Sequence, residues 1–193
     1  MVKKKVLVLV QLLTLFMALP GVGQAGAADK KYQRTVERYA VPDVVLVNQE
    51  GKRVHLKGLL ESDQPVVLDF IYGTCTTICP VLSASFAGLQ NRLGPDAEKA
   101  RLVSITIDPE NDTPKVMKEY LKRYHAKPGW DFLTGTRGDI DRVMKAFNAY
   151  IPDKMYHHQL TLIRTPRDGA WVRIKELISG ADLLEEFKKA RAK

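Results

Sequence analysis

Cysteine is scarce in this chain: Cys75 and Cys79 are the only two among 193 residues. Structural disulfides usually join distant segments, and a structural zinc site fits less well, because only two cysteines exist and the fold does not need a metal to close its core. A bond between this pair would close a loop of a few residues, which removes little entropy from the unfolded chain and stabilises the fold weakly. Redox chemistry or metal binding is therefore the better reason for the pair.

The chain also lacks internal repeats, low-complexity tracts and a concentrated basic patch. Its formal net charge is +8, but three of the charges are lysines 3 to 5, and the other basic residues are scattered among acids. A solvated surface explains this pattern better than a nucleic-acid interface does, so no nucleic-acid partner is expected. At 45% hydrophobic content, 193 residues can bury one ordinary core, which predicts one globular domain.

The N-terminus has the three parts of a secretory signal. Lysines 3 to 5 precede an apolar run over residues 6–19, and small residues follow as far as Ala27. This pattern predicts a signal peptide over residues 1–25, cleaved after Ala25 or Ala27. An uncleaved anchor is the alternative, since no charge interrupts residues 6–28, and it would associate the protein with the membrane. Both predict an exported domain, in the periplasm or at the outer face of the inner membrane.

The central strand and helix of the predicted domain flank the cysteines. Residues 26–40 are polar and predicted to be a tether, and residues 41–193 are the predicted folded domain. Residues 65–72 are almost continuously apolar and β-branched, which indicates a strand covered on both faces. This strand leads into Cys75. A helix is predicted to begin beside Cys79, because Pro80 has no amide hydrogen and is tolerated in a helix's first turn.

The remaining pattern sets the fold class. Strands and helices are predicted in chain order as a hairpin over residues 44–56, a strand over 102–107, helices from Pro114 and over 139–150, a hairpin around the turn at 165–169, and a last helix after Ser179. Strand–helix alternation that ends in a hairpin and a helix predicts an α/β protein with a mixed sheet. The expected architecture is a thioredoxin-like three-layer α/β/α fold with an added N-terminal β-hairpin.

The cysteine position favours thiolate chemistry. A cysteine between a buried strand and a helix N-terminus lies where the helix dipole and unpaired amides stabilise negative charge. Three residues separate Cys75 from Cys79, which suits two sulfurs spread around an ion without excluding a disulfide. Thiolates select soft ions such as Cu(I), or borderline ions such as zinc, and either ion needs at least one further ligand.

Four histidines are candidates for that ligand. His55 lies in the early hairpin and His125 at a helix end among lysines, where solvated surface roles are expected. His157 and His158 stand just before the predicted strand at Leu160. In a thioredoxin topology the loop entering that strand passes over the cysteine site, so a third ligand is expected from this pair.

Three blocks of sequence resemble the Sco/SenC copper chaperones of cytochrome c oxidase assembly. They are FIYGTCTTICP at residues 70–80, IDPENDTP at 107–114 and YHHQLTLI at 156–163, followed by the PRDG turn at 166–169. The resemblance implies that Cys75, Cys79 and His158 bind copper, as Cu(I) or Cu(II). Thr76 and His157 stand where the family commonly has a proline and an acid.

The resemblance implies a metallochaperone that delivers copper to the dinuclear centre of a cytochrome c oxidase subunit, or to another exported copper protein. The other hypothesis is an enzyme, a thiol-disulfide oxidoreductase that uses Cys75 and Cys79 as a redox-active pair to reduce the target's own cysteines. Such exchange would call for a thiol reductant as a further partner. A peroxiredoxin fits less well, because a second cysteine four residues on would be unexpected.

The acidic block at residues 108–114 has two interpretations. Its proline, aspartates and threonine suit a strand-to-helix turn in which Asp112 or Thr113 caps the helix that starts at Pro114. An exposed loop that contacts a partner protein is the alternative.

Overall fold

An eight-stranded mixed sheet organises residues 32–192, the part of the chain that the computed structural model describes. Its strands are β1 (Gln33–Glu37), β2 (Val45–Asn48), β3 (Arg53–His55), β4 (Val66–Ile71), β5 (Arg101–Thr106), β6 (Trp130–Thr134), β7 (Leu160–Arg164) and β8 (Trp171–Lys175). Across the sheet they lie in the order β1-β8-β7-β4-β5-β6-β2-β3.

The direction of the central strands places the cysteines beyond the carboxyl end of β4, in the middle of the sheet. Strands β4, β5 and β6 are parallel, whereas β7 pairs antiparallel to β4 and β8 antiparallel to β7. All six residues of β4 are buried, as expected for a strand covered on both faces. The carboxyl end of β4 therefore delivers the chain to the loop that carries Cys75. The predicted α/β class and thioredoxin-like arrangement are confirmed.

Helices flank this sheet. They are α1 (Leu56–Leu60), α2 (Cys79–Leu93), α3 (Pro114–Arg123), α4 (Arg137–Ala146) and α5 (Gly180–Ala192), with short 3₁₀ turns at Gly94–Lys99 and Lys154–Tyr156. Helix α2 begins at Cys79 with Pro80 in its first turn, as predicted. Helices α2 and α5 pack closely where Gly88 meets Gly180. A Cβ on Gly180 would lie 3.0 Å from the Gly88 Cα, so this contact requires small residues.

The early hairpin is present and extends the sheet. Strands β2 and β3 pair antiparallel, and β2 also pairs with β6. Strand β6 itself was not predicted, since its five residues show no clean alternation and follow directly on the Pro128-Gly129 turn. The helix predicted over residues 139–150 occupies Arg137–Ala146 instead, because the Thr136 side chain caps its start.

The N-terminal segment differs in part from the expected tether over residues 26–40. Residues Gln33–Glu37 form β1, which pairs antiparallel with β8 at the edge of the sheet. An edge strand with mostly exposed side chains needs no apolar periodicity, so its polar sequence gave no strand signal. The predicted signal over residues 1–25 lies outside the described residues. Within residues 32–192, every helix is too short or too polar to span a bilayer.

Candidate metal centre

The loop from Tyr72 to Ile78 places both thiols at the N-terminal end of α2. The Tyr72 carbonyl accepts a hydrogen bond from the Cys75 amide at 3.2 Å, which turns the chain back after β4. Cys79 is the first residue of α2 and is fully buried, while Cys75 is 6% exposed. Both are free thiols. The sulfurs therefore lie at the rim of the core, where a metal ion could reach them without complete desolvation.

An imidazole joins the two sulfurs. Cys75, Cys79 and His157 each offer one ligand atom, and these three atoms lie within 4.8 Å of one another. The His157 Nε2 atom is 3.7 Å from the Cys79 Sγ atom. The backbone of Phe70 favours the protonated ring, but this effect on the pKa of His157 is smaller than that of burial.

The two adjacent histidines have different environments. His157 is half-buried and packs edge-on against the Tyr72 ring, with centroids 5.6 Å apart, whereas His158 is exposed. His157 has extended backbone angles, and consecutive side chains along an extended backbone point to opposite sides. Only one of the two rings therefore faces the sulfurs at a time. The structure brings His157 to the thiols, and the prediction that His158 is the ligand stays a prediction.

The remaining two histidines lie away from this cluster. His55 is the exposed last residue of β3, and His125 follows α3 beside Tyr124. Neither belongs to the group of ligand atoms found among the described residues.

The electrostatics of the two thiols differ. Burial raises the pKa of Cys75, but hydrogen bonds from the Cys79 side chain and from the amides of Cys79 and Thr77 outweigh it and hold that pKa at about 7. Burial and the adjacent Cys75 raise the pKa of Cys79 well above its usual range. Cys75 is consequently the thiol that supplies the first thiolate near neutral pH.

The imidazole and the neighbouring phenol hold fixed protonation states near neutral pH. Burial, followed by the adjacent His158, lowers the pKa of His157 to about 4, so its ring is neutral and has a free lone pair. Burial, a hydrogen bond with Cys75 and the charges of both cysteines raise the pKa of Tyr72 to about 12. One thiolate, one thiol and a neutral imidazole form a soft donor set that suits copper.

Comparison with known proteins identifies the family. The SCO1/SenC family profile matches residues 33–188, which is nearly the whole of the described structure. The chain belongs to the SCO1/SenC family. The resemblance inferred from three sequence blocks is therefore confirmed.

Individual SCO1/SenC proteins are similar in sequence and structure. The SCO1 homologue of Bacillus subtilis is 36% identical over 116 residues, which are 58% of this chain and 59% of that protein. A copper-bound structure of Bradyrhizobium japonicum ScoI is 27% identical, with a TM-score of 0.65 over 78% of this chain and 99% of that one. BsSco, described as a cytochrome c oxidase assembly protein with a disulfide switch, is 30% identical, with a TM-score of 0.66 over 79% and 94%.

Sequence reasoning missed two parts of this SCO1/SenC site, Tyr72 and Asp112, and left the orientation of a third, His157, open. His157 was visible in the His-His pair, but its sequence position gave no direction for its ring. Tyr72, whose ring packs edge-on against His157, read as one more apolar residue of the preceding strand. Asp112 read as a helix cap, yet it is fully buried and accepts hydrogen bonds from the Gly73 amide.

Proposed function

We propose that this SCO1/SenC protein is an extracytoplasmic metallochaperone that binds copper and delivers it to the dinuclear copper centre of cytochrome c oxidase. The observation that carries the proposal is the convergence of two sulfurs and a neutral imidazole within 4.8 Å. Sulfur and imidazole donors suit Cu(I), and a thiolate with imidazole also accommodates Cu(II). Copper is the cargo in this account, and no covalent turnover is required.

The ligands we propose are Cys75, Cys79 and one histidine of the His157–His158 pair. His157 faces the sulfurs in the described arrangement, and His158 is the ligand that the family resemblance predicts. Exchanging one ring for the other requires rotation of the segment between the Lys154–Tyr156 turn and β7. Two of the three relatives named above support the proposal, since ScoI has been described with copper bound and BsSco as an oxidase assembly protein.

The proposed location is outside the cytoplasm, in the periplasm or at the outer face of the inner membrane. The basic and apolar N-terminal sequence supports export, either as a signal over residues 1–25 or as an anchor. The proposed partner is the copper-receiving subunit of the oxidase or another exported copper protein. Thiol-dependent loading requires reduced cysteines, so an exported thiol reductant is a further proposed partner.

A copper titration of the reduced protein tests the proposal. We expect one copper ion per chain and, for Cu(II), a charge-transfer band from thiolate to metal. Cys75→Ser and Cys79→Ser should each abolish the band, whereas His55→Ala, which removes an exposed histidine, should leave it unchanged. Copper that binds without the band, or a band unaffected by either serine variant, would contradict the proposed ligands.

Delivery requires its own measurement. The copper-loaded protein is mixed with the apo copper domain of an oxidase subunit, and the metal in each is quantified after separation. We expect copper to move to the oxidase domain. Retention of all copper by this chain, under conditions where the acceptor binds free copper, would contradict a delivery role.

The second candidate function is a thiol-disulfide oxidoreductase acting on cysteines of an oxidase subunit or another exported protein. The unequal thiols favour it, because a pKa of about 7 at Cys75 provides the attacking thiolate while Cys79 stays protonated. Thiol exchange does not need an imidazole ligand. A variant with both His157 and His158 changed to alanine should lose copper if the chaperone role holds, and should reduce a disulfide substrate at the wild-type rate if exchange is the function.

A further inference from the structure

The turn between β5 and α3 contacts both loops that build the metal centre. This turn, residues 107–113, is called the acid turn below. At one end of it Asp112 meets Gly73 in the cysteine loop, and at the other Asp108 meets Lys154 in the 3₁₀ turn that leads to His157. The site's two halves come from segments about eighty residues apart, and the acid turn lies against both.

Asp112 holds the backbone of the cysteine loop. Its two carboxylate oxygens accept the Gly73 amide hydrogen at 3.0 and 3.1 Å, and the Thr106 hydroxyl donates to the same carboxylate. The approach is close, because a Cβ on Gly73 would lie 2.7 Å from the Asp112 Oδ1 atom. Gly73 precedes Cys75 by two residues, so fixing this amide limits where the Cys75 sulfur can lie.

Helix capping does not explain the burial of Asp112. The side chain that accepts the amide of Val116 and caps α3 belongs to Thr113, at 3.4 Å. A buried carboxylate costs free energy unless hydrogen bonds compensate for lost hydration. Here the compensating donors are the amide of the cysteine loop and the hydroxyl at the end of β5, so the contact joins that loop to the sheet.

Asp108 holds the histidine-bearing segment. Its carboxylate is buried, accepts from the Asn111 side chain at 3.0 Å and pairs with the Lys154 ammonium. The same ammonium lies 5.3 Å from the centroid of the Tyr72 ring, whose edge-on neighbour is His157. The ion pair therefore fixes the 3₁₀ turn immediately before the two histidines.

We infer that the acid turn fixes the position of the two halves of the metal centre relative to each other. Asp112 positions the cysteine loop, and Asp108 positions the histidine segment. Both are positioning residues. The inference rests on the proposed copper site and deepens it. The predicted cap of α3 is confirmed at Thr113, and the partner contact stays a prediction.

The thiol-disulfide equilibrium with glutathione tests the role of Asp112 without copper. In this reaction the two thiols form the Cys75–Cys79 disulfide and lose two electrons and two protons. One glutathione disulfide is reduced to two glutathione thiols. Releasing the loop lowers the effective concentration of the Cys75 sulfur near Cys79. Asp112→Ala should therefore lower the equilibrium constant about tenfold.

A conservative variant separates positioning from charge. The amide oxygen of Asp112→Asn can still accept the Gly73 hydrogen, so the equilibrium constant should stay within about threefold of wild type. Asp139→Ala removes a comparable acid from the start of α4, and Val143→Ala destabilises the same helix from its buried face. Neither should change the constant more than about twofold. The inference is overturned if Asp112→Ala also stays within this range, or if the controls match its effect.

The role of Asp108 is tested by the NMR signals of the His157 ring in the metal-free protein. Asp108→Asn and Lys154→Gln should each shift the ring signals away from values set by the Tyr72 ring and towards those of exposed His55. The double variant should shift them no further, because both changes break one ion pair. If the His157 signals stay unchanged in both single variants, the inference is overturned for the histidine segment.

These outcomes are separable from the fate of the proposed function. If the protein fails to bind copper, the chaperone proposal fails, yet the glutathione equilibrium and the ring signals still decide whether the acid turn positions the two segments. If copper binds as proposed, Asp112→Ala should also weaken Cu(I) binding in competition with a chelator, and Asp112→Asn should restore most of that loss.

Discussion

Asp69 makes the stability of this fold depend on pH. Its side chain is fully buried in the middle of β4, and neither carboxylate oxygen has a hydrogen-bond partner among the described residues. Burial raises the pKa of Asp69 to about 7. In the unfolded chain the same carboxyl should titrate at about 3.9.

The direction of the effect follows from proton uptake. Between pH 4 and 7 the folded protein keeps a proton on Asp69 that the unfolded chain releases, so stability falls as pH rises through this window. The stabilisation by the protonated carboxyl is fully present below the pKa of the unfolded state. It is lost as the pH rises to the pKa of the folded state, about 7. A difference of about three pKa units corresponds to about 4 kcal/mol, of which roughly 3 kcal/mol should be lost between pH 5 and 8.

Urea unfolding of the reduced, metal-free protein at pH 5, 6, 7 and 8 measures this loss. Asp69→Asn keeps the shape and removes the titration, so its stability relative to wild type should rise by roughly 3 kcal/mol across the series. The thiols are present in both proteins, so most of their own pH dependence cancels. Asp63→Asn, at an exposed position, is the matched control. A relative stability of Asp69→Asn that stays level from pH 5 to 8 would refute the reasoning.

Three further predictions concern the thiols and the closely packed glycines. Iodoacetamide should modify Cys75 before Cys79, with half-maximal rate near pH 7, as mass spectrometry of quenched samples would show. Gly73→Ala forces a Cβ against a buried carboxylate and should lower the free energy of unfolding by about 1–3 kcal/mol in urea titrations. Gly180→Ala should lower it similarly, whereas Gly138→Ala, in open space on α4, should raise it by about 0.5–1 kcal/mol in the same assay.

The sequence was most informative where local chemistry and burial agree. The unbroken apolar run of β4 marked a strand covered on both faces, and Pro80 marked the start of α2 beside Cys79. Those two features are enough to place both thiols at the end of a central strand. The turn between β7 and β8 was equally clear, because Pro166 and Gly169 separate two short runs in which apolar residues are in the majority.

Features that depend on packing between distant segments could not be predicted. Strand β1 is polar and becomes a strand only because the edge of β8 is available. The choice between His157 and His158 depends on how the 3₁₀ turn orients the segment before β7, and periodicity before a strand contains no such information. The inward orientation of Asp112 likewise follows from its contact with Gly73, which lies 39 positions away.

X-ray absorption at the copper edge, on the reduced protein loaded with Cu(I), tests the central claim most directly. We predict two sulfur ligands and one imidazole in wild type, loss of the imidazole when His157 and His158 are both changed to alanine, and an unchanged spectrum for His55→Ala. The two single histidine variants then show which ring binds. A first coordination shell without sulfur, or an imidazole that persists in the double variant, would contradict the account.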